Sequence, residues 1–121
     1  MSYKFDRFLR FDELYAFCQR FADEHPNLCT LERYGKSHEQ RDLFLVTITD
    51  SATGPAASKP AHWVDANIHS VEVTAGVAAC YLIHHLINQY CAGDPTVVKA
   101  LQTRTFYIVP RVNPDGVEAA L

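Results

Sequence analysis

The chain has 121 residues, 48% of them apolar and 12% aromatic, with a formal net charge of −3. That length holds one domain at most, and the apolar content suffices for a packed core, which argues against a disordered chain. A mildly acidic balance without a Lys/Arg cluster argues against a nucleic-acid binder, and no stretch approaches the roughly 18 uninterrupted apolar residues of a membrane span.

The opening residues, Met1 to Phe8, mix charges with aromatics and lack an apolar signal-peptide core, so a cytoplasmic location is expected. Asp12 is a plausible N-cap, and Leu14, Phe17, Cys18, Phe21 and Ala22 follow at helical spacing. Pro26 ends that helix because it cannot continue it. Leu28 to Tyr34 alternates as a strand does, Gly35-Lys36-Ser37 makes a turn, and Leu43 to Thr49 reads as the hairpin partner. Ser51 to Pro60 is a surface loop by composition.

The run from His62 to Ile68 predicts a buried strand, Val73 to Tyr90 a helix, and residues 105–110 a further strand. Asp94-Pro95 caps a short helix, Thr96 to Leu101, inside that connection. Strands joined through a helix usually lie parallel, so this is a βαβ unit. The fold class is α/β: a mixed, partly parallel sheet with helices on both faces.

Cys18, Cys29, Cys80 and Cys91 contain no Cys-x-x-Cys pair, and Cys18 and Cys80 fall on apolar helix faces. Four reduced, mostly buried thiols fit this pattern better than a disulfide framework or a metal cluster.

His69 and Glu72 make a His-x-x-Glu step where the central strand turns into the helix. A neutral imidazole and a carboxylate at that spacing can hold one zinc ion, which takes nitrogen and oxygen ligands and leaves a corner for water in hydrolytic sites. In an α/β sheet, ligands gather outside the carboxyl ends of the parallel strands. Both His69 and the Asn113-Pro114-Asp115-Gly116 stretch lie just past such ends. Taken singly, each motif has an ordinary structural explanation. Glu72 suits a helix N-terminus, and Asn-Pro-Asp-Gly has the preferences of a type I turn. His62 and Asp65, spaced alike inside a strand, point to opposite faces and cannot share a metal. Asp65 and Asn67 are expected to share the face of His69 and to orient its imidazole from behind. His84 and His85 fall mid-helix, several turns from Glu72, and read as surface or core-edge residues.

Three segments together resemble the zinc carboxypeptidase family, the metallopeptidases related to carboxypeptidase A. Gly35, Ser37 and Arg41 match a Gly-x-Ser-x-x-x-Arg hairpin. Asn67 to Glu72 matches the family's first metal motif, and Val109 to Gly116 its Asn-Pro-Asp-Gly strand end. The resemblance spans nearly the whole chain and implies that residues 1–121 are the N-terminal part of a single catalytic domain. It implies one zinc ion held by His69 and Glu72, with the third ligand, the general base and the substrate-carboxylate grip all beyond Leu121. It further implies hydrolysis of C-terminal peptide bonds, the metal polarising the scissile carbonyl and a glutamate moving the proton. No catalytic base is expected within these residues, so the chain alone should bind zinc weakly, lack peptidase activity and self-associate through an exposed sheet edge. Val71 departs from the His-x-Arg-Glu form of the digestive subgroup. Two alternatives stand beside this reading: an aspartoacylase-like or desuccinylase-like amidohydrolase of the same fold, and a non-catalytic binding module.

Overall fold

The computed structural model describes residues 3–121. Helix α1 (Phe11–Glu24) starts earlier than its sequence predicts. Its N-cap is Arg10, whose backbone N–H donates to the Glu13 carboxylate at 3.2 Å, while Asp12 sits in the first turn among the free N–H groups. One face of α1 buries Leu14, Phe17, Cys18 and Phe21, and the helix ends at His25, ahead of Pro26.

Strands β1 (Cys29–Lys36) and β2 (Asp42–Ile48) form the expected antiparallel hairpin, with Cys29 opposite Ile48 and an irregularity between Arg33 and Gly35. Strand β3 (Ala61–Asp65), helices α2 (Thr74–Cys91) and α3 (Pro95–Thr103), and strand β4 (Thr105–Val109) make the βαβ connection. The Asp94 side chain accepts from the N–H groups of Thr96 and Val97, so α3 begins where the sequence places its cap. Strands β3 and β4 run parallel in direct register, and the sheet order is β1-β2-β4-β3. The fold is therefore a mixed, partly parallel α/β sheet.

Alternate residues of β2, namely Phe44, Val46 and Ile48, join Ile108 of β4 beneath α1, α2 and α3. Ile83 and Ile87 of α2 and Leu101 of α3 are fully buried in the same core. Burial of these side chains, at about 1.5–3 kcal/mol each, supplies the main stabilisation.

Strand β3 differs from its expectation in both length and burial. It stops at Asp65, and His62, Trp63 and Asp65 are exposed, Trp63 at 59%. As an edge strand it is flanked on one side only, and Trp63 lines an open hollow that runs across the sheet face over Leu45 and Val109 to Tyr34 of β1. An apolar run reports what could be buried, whereas actual burial depends on what packs against it.

Candidate metal centre at the carboxyl end of the parallel strands

Asp65 and Val109 stand side by side at the ends of β3 and β4. Beyond them the two chains stay together. The Ala66 N–H donates to Val109 O at 3.0 Å, Val112 N–H to Ala66 O at 2.9 Å, and Asn113 N–H to Asn67 O at 3.1 Å. The two motifs thus share one rim. Asn67 adopts φ of 61°, a left-handed conformation that asparagine tolerates better than most residues, and this ends the extended run.

A turn follows, closed by the Glu72 N–H on His69 O at 3.2 Å, and Glu72 precedes Val73, the N-cap of α2. The turn brings His69 Nδ1 to 3.2 Å from Glu72 Oε2. Both side chains are largely exposed, at 72% and 71%, and among the described residues they hydrogen-bond only to each other. Tetrahedral zinc with bonds of about 2.0–2.2 Å places neighbouring ligand atoms about 3.3–3.5 Å apart. At 3.2 Å the two donor atoms stand at hydrogen-bond distance from each other and close to the length of one edge of such a tetrahedron. Among the described residues no third His, Cys, Asp or Glu joins it.

Beneath the pair lies a polar network that the sequence did not reveal. Arg111, 2% exposed, donates from Nε to Asn67 Oδ1 at 3.0 Å and from Nη1 to Leu9 O at 2.8 Å. The Asn67 amide nitrogen donates to Glu72 O at 3.0 Å. Burial pushes the Arg111 guanidinium below its ordinary value, and the carboxylate of Glu118 opposes that shift. A lone arginine in the apolar company of Val109, Pro110 and Val112 was the available signal.

The expected support of His69 by Asp65 and Asn67 is not found. Asp65 lies on the open sheet face and accepts from Trp63 Nε1 at 2.8 Å. Asn67 is buried and spends its amide on Glu72 O and Arg111. The reason is the left-handed residue: it breaks the strand alternation from which a shared face was inferred. His84 meets Phe5 and Phe21 edge-on and stacks on Tyr81, a core-edge position on α2.

Asn113-Pro114-Asp115-Gly116 opens helix α4 (Pro114–Ala120) rather than forming an isolated turn. Asn113 Oδ1 caps it by accepting from Gly116 N–H at 3.0 Å, and Pro114 occupies the first helical position. Asp115 reaches the hairpin. Its Oδ1 accepts from Ser37 Oγ at 2.7 Å and Arg41 Nη1 at 2.9 Å, and its Oδ2 from Glu39 N–H at 2.9 Å. Two of the sequence motifs therefore hold each other across the sheet end.

The sequence profile described as zinc carboxypeptidase matches residues 14–121. Human carboxypeptidase D is 32% identical over 108 residues, covering 89% of this chain and 8% of that protein. A zinc carboxypeptidase of Saccharothrix mutabilis subsp. capreolus is 34% identical over 113 residues, covering 89% of this chain and 24% of its own. The solved carboxypeptidase A of Helicoverpa armigera superposes with a TM-score of 0.78 at 29% identity, over 94% of this chain and 26% of that one. Thrombin activatable fibrinolysis inhibitor superposes with a TM-score of 0.85 at 21% identity, over 98% of this chain and 29% of that one, a likeness of fold. The chain spans less than a third of each of these relatives. Matched over nearly its whole length by the family profile, the chain belongs to the zinc carboxypeptidase family.

Proposed function

We propose that this chain carries the first two protein ligands of a zinc metallocarboxypeptidase that cleaves peptide bonds at free C-termini. His69 and Glu72 are those ligands, and residues 1–121 are the N-terminal part of one catalytic domain. The observation that carries the reading is the 3.2 Å approach of His69 Nδ1 to Glu72 Oε2 on an exposed rim at the carboxyl end of parallel strands. The family profile and the carboxypeptidase relatives support the substrate class.

When bound, zinc supplies a Lewis acid for the scissile carbonyl and lowers the pKa of water. The chain's own contribution is presentation. The turn closed by Glu72 N–H on His69 O holds one nitrogen and one oxygen donor facing each other, and the cap at Asn113 fixes the neighbouring segment. The third ligand and the general base are assigned to residues beyond Leu121. On that assignment the 121-residue chain binds zinc weakly, because two pre-placed donors chelate less tightly than three, and it has no peptidase turnover of its own. Isolated, it self-associates through the open face over Tyr34 and Trp63 and the β3 edge.

Zinc titration followed by the ring resonances of His69 tests the ligand assignment. The wild-type chain should show zinc-dependent shifts at His69, and Glu72→Ala should weaken them by tenfold or more. A His69 ring that zinc leaves unmoved would overturn it.

A further inference from the structure

Four groups form a continuous line from the start of α1 to the candidate ligand turn: the carbonyl of Leu9, the guanidinium of Arg111, the carboxamide of Asn67 and the carbonyl of Glu72. Arg111 and Asn67 are both almost completely buried, at 2% and 3% exposure, and the line crosses more than a hundred residues of sequence. We propose that Asn67 and Arg111 are positioning residues for the metal pair, fixing the backbone of Glu72 so that its carboxylate meets the His69 imidazole before the ion arrives. This rests on the reading of His69 and Glu72 as zinc ligands.

Both ends of the Asn67 carboxamide are engaged. Asn67 accepts on its oxygen and donates from its nitrogen, and the nitrogen lands on the peptide carbonyl of the ligand residue itself. Glu72 precedes α2, so helical hydrogen bonding does not define its peptide plane, and the Asn67 amide does so instead. The left-handed backbone of Asn67 aims that amide, and such conformations persist where the surroundings over-determine them. The guanidinium leaves Asn67 little freedom, since it is anchored through its second arm to Leu9 O. Gly76 closes the fourth side. A methyl there would collide with Asn67 Oδ1 and lie 3.3 Å from Arg111 Nη2, so α2 passes close against the amide only because that position lacks a side chain.

The alternative is that the line merely satisfies buried polar groups. Binding data separate the two. Groups that orient metal ligands typically change metal affinity by about 10–100-fold when replaced, although they touch no metal. Asn67→Gly keeps the positive φ available and deletes both side-chain bonds. Asn67→Asp keeps the acceptor for Arg111 and sets an oxygen against Glu72 O in place of the donor.

The experiment is zinc titration of the 121-residue chain and these variants by NMR, with far-UV circular dichroism of the metal-free proteins and hydrogen exchange at the Glu72 amide, which is bonded to His69 O. The proposal expects about 10-fold or greater loss of zinc affinity and faster exchange at the Glu72 amide, with the folded spectrum retained. Folded Asn67 variants that bind zinc as tightly as wild type, while Glu72→Ala loses binding, would overturn the positioning role and leave the ligand assignment standing. Unchanged binding in Glu72→Ala as well would overturn the ligand assignment, and the positioning role with it. Should the Asn67 variants not fold, Arg111→Lys decides. It keeps the buried positive charge but cannot span Asn67 and Leu9, and it is expected to weaken zinc binding several-fold. Wild-type affinity in folded Arg111→Lys would overturn the proposal.

Discussion

Arg41 and Asp115, 74 positions apart in sequence, meet with Nη1 of one 2.9 Å from Oδ1 of the other. Ser37 Oγ and the Glu39 N–H converge on the same carboxylate, so the tip of the β1–β2 hairpin is fastened to the first turn of α4. This fastening keeps the Asn113 end of the rim in place beside the His69 turn.

The environment of Asp115 makes that fastening pH-dependent. Burial alone would raise its carboxyl, but the Glu39 N–H, the Ser37 hydroxyl and the Arg41 guanidinium outweigh burial and hold it below the usual carboxylate range. A folded-state pKa below the unfolded value means stability that is present above the unfolded value, near 4, and lost as pH falls through the folded one. Asp115→Asn should therefore melt lower than wild type at neutral pH and lose less on acidification from about pH 5 towards 2. Melts by circular dichroism across that range check it; parallel pH profiles for the two proteins would contradict the account.

Gly116 should reverse the usual rule for glycine in a helix. Replacement by alanine normally stabilises a helix interior by about 0.5–1 kcal/mol. Here the added methyl would lie 2.6 Å from Asn113 Nδ2 and 2.7 Å from Ser70 Cβ, so it strikes both the helix cap and the ligand turn. Gly116→Ala should destabilise the chain by about 1–3 kcal/mol in urea unfolding, the range seen for overpacked positions. An increase in stability would show that the rim has room that its geometry denies.

Burial contrast gives a calibration of the core. Ile83 is fully buried between α2 and the sheet, whereas Val71, in the turn between the two candidate ligands, is 77% exposed. Ile83→Ala should cost about 2–5 kcal/mol through lost burial and the cavity left behind. Val71→Ala should change stability by no more than about 0.5 kcal/mol. Urea midpoints for the pair of variants provide the check, and equal losses would contradict the assignment of core and surface.

Sequence patterning carried the element order well because each strand and helix of the core declares itself by period. Phe44, Val46 and Ile48 alternate, and Leu14, Phe17, Cys18 and Phe21 recur at helical spacing. It also brought His69 and Glu72 together, since a turn of four residues needs only local geometry. What it missed depends on single dihedrals and distant partners. The left-handed Asn67 shortens β3 and turns its own amide inward, and nothing in an alternating apolar run announces one positive φ. Asn113 to Gly116 read as a turn because a type I turn and a first helical turn share dihedrals and residue preferences; only the later residues of α4 distinguish them. The links of Arg111 to Leu9 and of Arg41 to Asp115 span most of the chain, and period carries no information at that range.

The four cysteines are all free, and they should divide sharply by reactivity. Cys18, Cys29 and Cys80 are buried and Cys91 is exposed. The hydrogen bond with Cys80, followed by burial, pushes the Cys18 thiol well up, and burial alone pushes Cys29 up to about 12. Because the thiolate is the nucleophile, only Cys91 should react promptly with a disulfide reagent near pH 8, and the other three should react only after unfolding. Cys91→Ser should abolish the prompt phase and leave the slow one intact. The same burial sets an alkaline limit. A Cys29 pKa raised above the free value of about 8.5 means stability that is fully present below that pH and lost as pH climbs towards 12. Cys29→Ala should flatten that decline in thermal melts between about pH 9 and 11. Prompt modification of more than one thiol in the folded chain would place the core cysteines in contact with solvent and overturn both expectations.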